Sequence, residues 1–434
     1  LSQSRTVAEM DERLSQVGLS SWNFVFSDSR GNIGYRAVGK ILRSATGVEV
    51  ESAQSKSSEQ GASGGQSAAL AGAQGAVVGA NTLEARPVDL AGLEARWGFL
   101  SREQMPAAIN PKRGFLVTAN NAQWPASAKL SFTHQGHSQV ESFRAHRIEE
   151  LLAAKPKMSL AQMREIQCDV QAVDARYLLP ELLKVLKTHD PRFNGASVEG
   201  DPRGNRVLDA MRSWLEKGTF AGGDCQACAP YRDWMNEIKA RTGLSESSLW
   251  AALTASGNQE GKNSGSLGGA SGPGGSSTGK LSSELLASIL LGFDSALARV
   301  KLVTDGTQTR LAAWSELHRS HFEHWGGRDE FPSDPLATPG DEHTVNPGTS
   351  RRDGKYFEHW AGASHRLIVE MSSPPQVWQS LPGTLEDLDR TPSAQAAPTE
   401  GQTRREWRQW AECQLTPKVF PFDWRGKKVT QVPF

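Results

Sequence analysis

Two consecutive carboxamides, Asn120 and Asn121, close the run Gly114-Phe-Leu-Val-Thr-Ala-Asn-Asn121. An Asn side chain offers two N–H donors and one acceptor oxygen. Asn also enters left-handed backbone readily, so the pattern alone reads this pair as turn residues. Arg144 and Arg147 stand one helical turn apart further on. A guanidinium presents its donors as a rigid fork, although an arginine opening a helix is equally well read as a surface residue. Cys225 and Cys228 form a C-x-x-C with no further ligands nearby, while Cys168 and Cys413 stand isolated. A local disulfide or two plain thiols is therefore expected rather than zinc. His318, His321 and His324 recur every third residue, with Asp341, His343, His359 and His365 beyond. Neutral imidazoles and a carboxylate could bind zinc, but three-residue steps drift around a helix, and solvated or packing histidines are expected. No H-E-x-x-H or phosphate loop occurs.

The elements that must hold these groups read as α+β. Asn23 to Val38 alternates as a hairpin around the turn Asp28-Ser-Arg-Gly31-Asn32, whose last two residues tolerate positive φ. Ser159 and Gln162 make a capping box ahead of a stripe formed by Met163, Ile166, Val170, Val173 and Tyr177, and Pro180 is expected to end or kink that helix. Val207 to Leu215, stopped by Gly218, and Tyr231 to Ile238, stopped by Gly243, give two more helices. Leu285 to Val300 gives a long apolar one, and strand character returns only near Leu367 to Met371. Strands, then helices, then strands again favour α+β over alternating βαβ units.

Composition bounds the partners. Lys plus Arg and Asp plus Glu number 48 each, so no global field recruits nucleic acid or an anionic membrane. The longest apolar run, Leu285 to Phe293, is too short to cross a bilayer. The chain opens on Leu1 with no leader behind it, which reads as a processed chain or a fragment. Residues 50–80 are Ser, Gly, Ala and Gln rich and are expected to be a disordered insertion. The stretch 257–280 is richer still in Gly and Ser and is expected to be a flexible linker, and Ser372 to Thr403 is expected to be irregular.

Three blocks in order resemble the penicillin acylase family. They are Asn23-Phe-Val-Phe-Ser-Asp28-Ser-Arg-Gly31-Asn-Ile-Gly-Tyr35, then Trp97-Gly-Phe-Leu100 with Asn110-Pro111 and Gly114 to Asn121, then Arg144-Ala-His-Arg-Ile148 followed by Gln167-Cys-Asp169. Weaker echoes are Leu311 to His324, Gly340-Asp341 to Asn346, and Gly362 to Arg366. The resemblance implies a partial αββα N-terminal-nucleophile hydrolase sandwich with a helical subdomain and long disordered insertions. The parts would be a sheet hairpin in 1–49, an insertion in 50–92, and a strand with the Asn turn in 93–140. A helical subdomain in 141–256, the Gly/Ser linker in 257–280, and a helix, loops and C-terminal strands in 281–434 would follow.

The activity so implied is hydrolysis of an acyl amide such as a β-lactam, an acyl-homoserine lactone or a lipopeptide. By that resemblance Asn120 donates to the oxyanion, Asn121 shapes the turn, Arg144 orients groups near the site and Arg147 is structural. The family nucleophile heads a self-cleaved chain, its free α-amine serving as base; here it is expected outside this chain. The implied partners are the α chain and the N-terminal part of the β chain from one precursor, with an acylated small-molecule amide as substrate. No cofactor is expected. Ala128 stands where some family members carry a calcium-binding carboxylate, so structural calcium is left to the complete protein. Two departures, the absent nucleophile and the reduced Gly401-Gln-Thr403 run, keep open a non-catalytic scaffold used for binding or assembly. Family habit implies export to the periplasm or beyond.

Overall fold

A computed structural model of the chain describes residues 3–18, 22–40, 99–121, 123, 142–193, 202–255, 281–320, 335–372, 375–381 and 408–418. The expected insertion, the Gly/Ser linker, Trp97, Ala128, His321, His324 and Gly401 to Thr403 lie outside these residues. The chain divides into two compact units, Leu1–Ala153 with Ile238–Ser288, and Ala154–Glu237 with Ile289–Phe434. Helices and mainly antiparallel sheets mix in the α+β manner expected. No helix among the described residues is long and apolar enough to cross a membrane.

In the first unit, helix α1 (Val7–Leu14) starts at Thr6, whose hydroxyl accepts the Glu9 amide at 3.2 Å. Its buried face, Val7, Asp11 and Leu14, follows the four-then-three spacing of a helical stripe. Strands β1 (Trp22–Ser27), β2 (Ile33–Val38) and β3 (Ala107–Ile109) form an antiparallel sheet in that order. Gly34 makes close packing possible: a Cβ there would lie 2.4 Å from the Phe26 ring and 2.9 Å from Val7. Asp11, in the middle of the apolar stripe, is satisfied by Arg36 of β2 through bonds of 2.5 and 2.9 Å. On the opposite face Tyr35, Ala37 and Met105 form a small core with Leu100, Ala108 and Leu116 against it. The β1–β2 turn is tied by Asp28, whose carboxylate accepts the amides of Arg30 and Asn32, each at 3.0 Å. Of the two turn residues that tolerate positive φ, Gly31 takes it, at 85°, and Asn32 does not. Helices α2 (Phe143–Ala153) and α7 (Glu246–Ala255) also belong to this unit.

The second unit carries most of the helices expected from the apolar stripes. The capping box at Ser159 opens α3 (Leu160–Gln167). The stripe from Met163 to Tyr177 is not one helix. The chain breaks after Gln167 and restarts as α4 (Val173–His189), because Val170 and Ala172 bond the backbone of Ala221 and Thr219 at 2.8 and 2.9 Å instead. Pro180 does not end α4. It sits on the exposed face, where water can satisfy the carbonyl that lacks a proline N–H, while Leu178, Leu179, Leu182 and Leu186 stay buried. Helix α5 (Pro202–Glu216) follows its stripe, as do α6 (Cys228–Thr242) and α8 (Ser283–Arg299), whose residues are divided between the two units. Gly218 and Gly243 take φ of 89° and 67° past the ends of α5 and α6. Trp234 and Phe293 pack edge-on at 4.7 Å at the centre of this core.

Strands return earlier than expected. β4 (Leu302–Asp305) pairs β5 (Gln308–Leu311), and a mixed sheet runs β7-β6-β9-β8 through Leu336–Ala337, His318–Ser320, Tyr356–Gly362 and Gly348–Asp353. Buried positions of β6 and β9 are His318, Ser320, Phe357 and His359, three of them polar, so the alternation there is not apolar. The short helix α9 (Trp314–Leu317) precedes β6. A third sheet joins β10 (Arg366–Glu370), β11 (Gln376–Ser380) and β12 (Thr416–Lys418). β11 falls inside the stretch expected to be irregular; it forms because its backbone pairs on both sides.

Candidate functional site

Asn120 is exposed and takes φ 60°, the left-handed conformation its residue type tolerates. The run ahead of it, Phe115 to Thr118, has no assigned strand, contrary to the strand expected from Leu116 to Asn120. Side chains take up its backbone groups instead. Arg113 Nε donates to the Phe115 carbonyl at 3.1 Å, the Ala119 amide donates to Asn121 Oδ1 at 3.0 Å, and Ser142 Oγ donates to the Ala119 carbonyl at 2.7 Å. Asn121 thus shapes the turn, as its place in the motif suggested.

Arg144, in the first turn of α2, reaches back to this turn. Its Nη2 donates to Asn120 Oδ1 at 2.7 Å. Arginine has donors only, so this contact fixes which end of the carboxamide is oxygen and leaves Nδ2, a two-proton donor, facing away. Loss of surrounding water lowers the Arg144 pKa from the ordinary arginine value, yet a guanidinium stays charged at any physiological pH. Arg147 pairs with Glu150 at 3.2 Å along the same helix, a structural contact.

The hairpin motif joins the same network. Tyr35, buried in the β2 core, bonds Asn23 Oδ1 at 2.7 Å and also Gln123 Oε1. Gln123 Nε2 donates to the Asn121 carbonyl at 2.7 Å. Burial raises the Tyr35 phenol pKa, so it remains a neutral hydroxyl. The hairpin, the Asn turn and the arginine helix, separate in sequence, are therefore one hydrogen-bonded assembly.

The second unit holds a buried polar group that sequence reasoning missed. Arg232 Nη2 lies 3.1 Å from Asp174 and 2.7 Å from Asp341, and Nη1 lies 3.2 Å from Glu342. Tyr231 donates to Asp174 at 3.1 Å. The available signal was a charged residue, Arg232, set inside the apolar stripe Tyr231, Trp234 and Met235. The loop from Gly340 to Asn346 and the strand from Gly362 to Arg366 also meet, Arg366 Nη2 donating to Asn346 Oδ1 at 2.6 Å. Gly340 has no room for a side chain: a Cβ would stand 2.3 Å from the Asn346 carbonyl oxygen.

His318 and His359 are packing histidines, as expected. His318 stacks on Trp314 at 4.4 Å and on His359 at 5.1 Å, and His318 Nδ1 lies 2.7 Å from the Thr338 carbonyl oxygen. Burial lowers both imidazole pKa values, that of His359 to about 3 with help from His318 and Arg366. His365 is exposed and His343 lies 3.4 Å from Glu342. Cys225 and Cys228 form the local disulfide. Cys168 and Cys413 are not isolated thiols: folding brings them together as a second disulfide across 245 residues.

The family model for penicillin amidase matches residues 1–419. Among solved structures the chain is similar to the thermostable penicillin G acylase from Alcaligenes faecalis in orthorhombic form. That match has 14% identity and a TM-score of 0.48, and covers 96% of this chain and 67% of the other. No curated protein matches.

Proposed function

The chain belongs to the penicillin amidase family, and from that premise we propose that it carries the oxyanion-stabilising part of an acylase using N-terminal-nucleophile chemistry. The observation that carries this reading is the bond from Arg144 to Asn120 Oδ1. Attack on an amide carbonyl drives negative charge onto its oxygen, and a donor held in place beforehand stabilises that charge without reorganising. Asn120 Nδ2 is such a donor, since Arg144 removes the freedom of the carboxamide to flip. The nucleophile and a second donor would come from other parts of the precursor, the α chain and the N-terminal part of the β chain. The substrate in this reading is an acylated small molecule, such as a β-lactam, an acyl-homoserine lactone or a lipopeptide. Its chemistry needs no cofactor, and structural calcium is left to the complete protein. Export to an oxidising compartment fits the paired cysteines.

The test is Asn120→Gly in the complete, processed protein, assayed against aromatic and fatty acyl amides. Glycine keeps the left-handed backbone and deletes the whole carboxamide, the Nδ2 donor together with the Oδ1 that Arg144 holds. A fall in kcat of about 10²–10³ at nearly constant KM is expected. Full activity in the variant would overturn the donor role of Asn120, whereas no activity in the wild type would favour a binding or assembly scaffold instead.

A further inference from the structure

Arg144 is not alone in holding the Asn turn to the start of helix α2. Ser142 holds it too. Its carbonyl accepts the His146 amide at 3.0 Å, the first bond of the helix, and its Oγ accepts the Ala145 amide at 3.3 Å. Ser142 is therefore the N-cap. The same hydroxyl donates to the Ala119 carbonyl at 2.7 Å. Its proton and a lone pair are both used, which a serine or threonine hydroxyl can do and a carboxylate cannot.

Arg144 alone would fix the Asn120 side chain but leave the adjacent backbone without a bond to the start of α2. Ala119 is the neighbour of Asn120, and Arg144 lies two residues beyond Ser142 in the first turn of α2. The bonds Ser142–Ala119 and Arg144–Asn120 therefore close a small ring between turn and helix. Two attachment points define an orientation that one cannot, and the donor direction is what preorganisation requires. Ala119 is itself buried and its amide is tied by Asn121, so the anchor does not move independently.

We infer that Ser142 is a positioning residue for the Asn120 donor, acting through the Ala119 carbonyl in addition to capping α2. This rests on the oxyanion reading of Asn120. Four variants of the complete protein separate the two roles. Ser142→Thr keeps cap and donor. Ser142→Asp keeps the cap and loses the donor, and Ser142→Gly removes the donor without adding charge and weakens the cap only slightly. Ser142→Ala removes both. A roughly tenfold fall in kcat with unchanged KM is expected for the Asp and Gly variants, at an unfolding midpoint near wild type. The Thr variant should retain wild-type kcat. Wild-type kcat in both Asp and Gly variants would overturn the inference, as would a Thr variant that falls as far as Ala.

If the wild-type protein hydrolyses no amide, the functional reading fails by itself. The clamp is then judged by NMR of the Asn120 side-chain amide. Two distinct Nδ2 proton signals, slowly exchanging in wild type and the Thr variant but faster in Asp and Gly, support it. Equal exchange in all four would overturn it.

Discussion

Arg144 Nη2 stands 2.7 Å from Asn120 Oδ1, joining residues 24 positions apart. This contact turns a flexible carboxamide into a donor of defined direction. Arg144→Leu in the complete protein should lower kcat roughly tenfold or more, leaving KM nearly unchanged, because ground-state binding does not use the bond. Arg144→Lys should recover only part of the loss, since an ammonium lacks the planar fork. Steady-state kinetics on one acyl amide decides it; a KM effect alone would sink the assignment.

Tyr35 connects the hairpin to the same turn through Asn23 and Gln123. Tyr35→Phe keeps the ring in its core and strands two polar partners. A stability loss of about 1–2 kcal/mol is expected. Hydrogen exchange should show the change in residues 119–123 as well as β1 and β2; protection altered in the hairpin alone would break the proposed connection.

Arg232 is buried among Asp174, Asp341 and Glu342. Arg232→Met would leave buried carboxylates uncompensated, at a cost of about 3–5 kcal/mol. Adding Asp341→Asn to that variant should restore part of the loss. Denaturant titration of the three proteins tests it, and an unchanged midpoint in the single variant would contradict the geometry.

The His318–His359 stack sets a pH dependence. His359 has its pKa depressed from the ordinary 6.5 to about 3, chiefly by burial and also by His318 and Arg366, and His318 is lowered by burial while Asp341 and Arg232 act on it in opposite senses. A depressed pKa means that the unfolded chain binds more protons, so this stabilisation is complete above pH 6.5 and is lost progressively as pH falls towards 3. His359→Gln should flatten that limb of the stability profile. An identical acid limb in the variant would count against it.

The two disulfides should differ in weight. Cys168–Cys413 closes 245 residues, whereas Cys225–Cys228 closes three. Replacing both Cys168 and Cys413 by Ala should cost about 2–5 kcal/mol through the freed unfolded chain. The double replacement at Cys225 and Cys228 should cost less. Thermal unfolding followed by circular dichroism would reverse this ranking if the long closure were incidental.

Much of this protein was legible from local spacing. The hairpin at Asn23 to Val38, the capping box at Ser159 and the stripes of α5, α6 and α8 depend on neighbours within a turn or a pleat, and periodicity records such contacts directly. Motif order carried further, pointing to Asn120 and Arg144 and to the family. The sequence by itself could not show what depends on distant partners. The break before α4 exists because Thr219 and Ala221 compete for its backbone, and α4 survives Pro180 because that residue faces water. β6 and β9 escaped the pattern because most of their interior is polar, His318, Ser320 and His359 beside Phe357, kept there by hydrogen bonds and stacking. Cys168 met Cys413, and Ser142 met Ala119, only through folding. Residue types supplied the donors and acceptors; tertiary structure alone decided which of them face one another, because a hydrogen bond depends on distance in space and not along the chain.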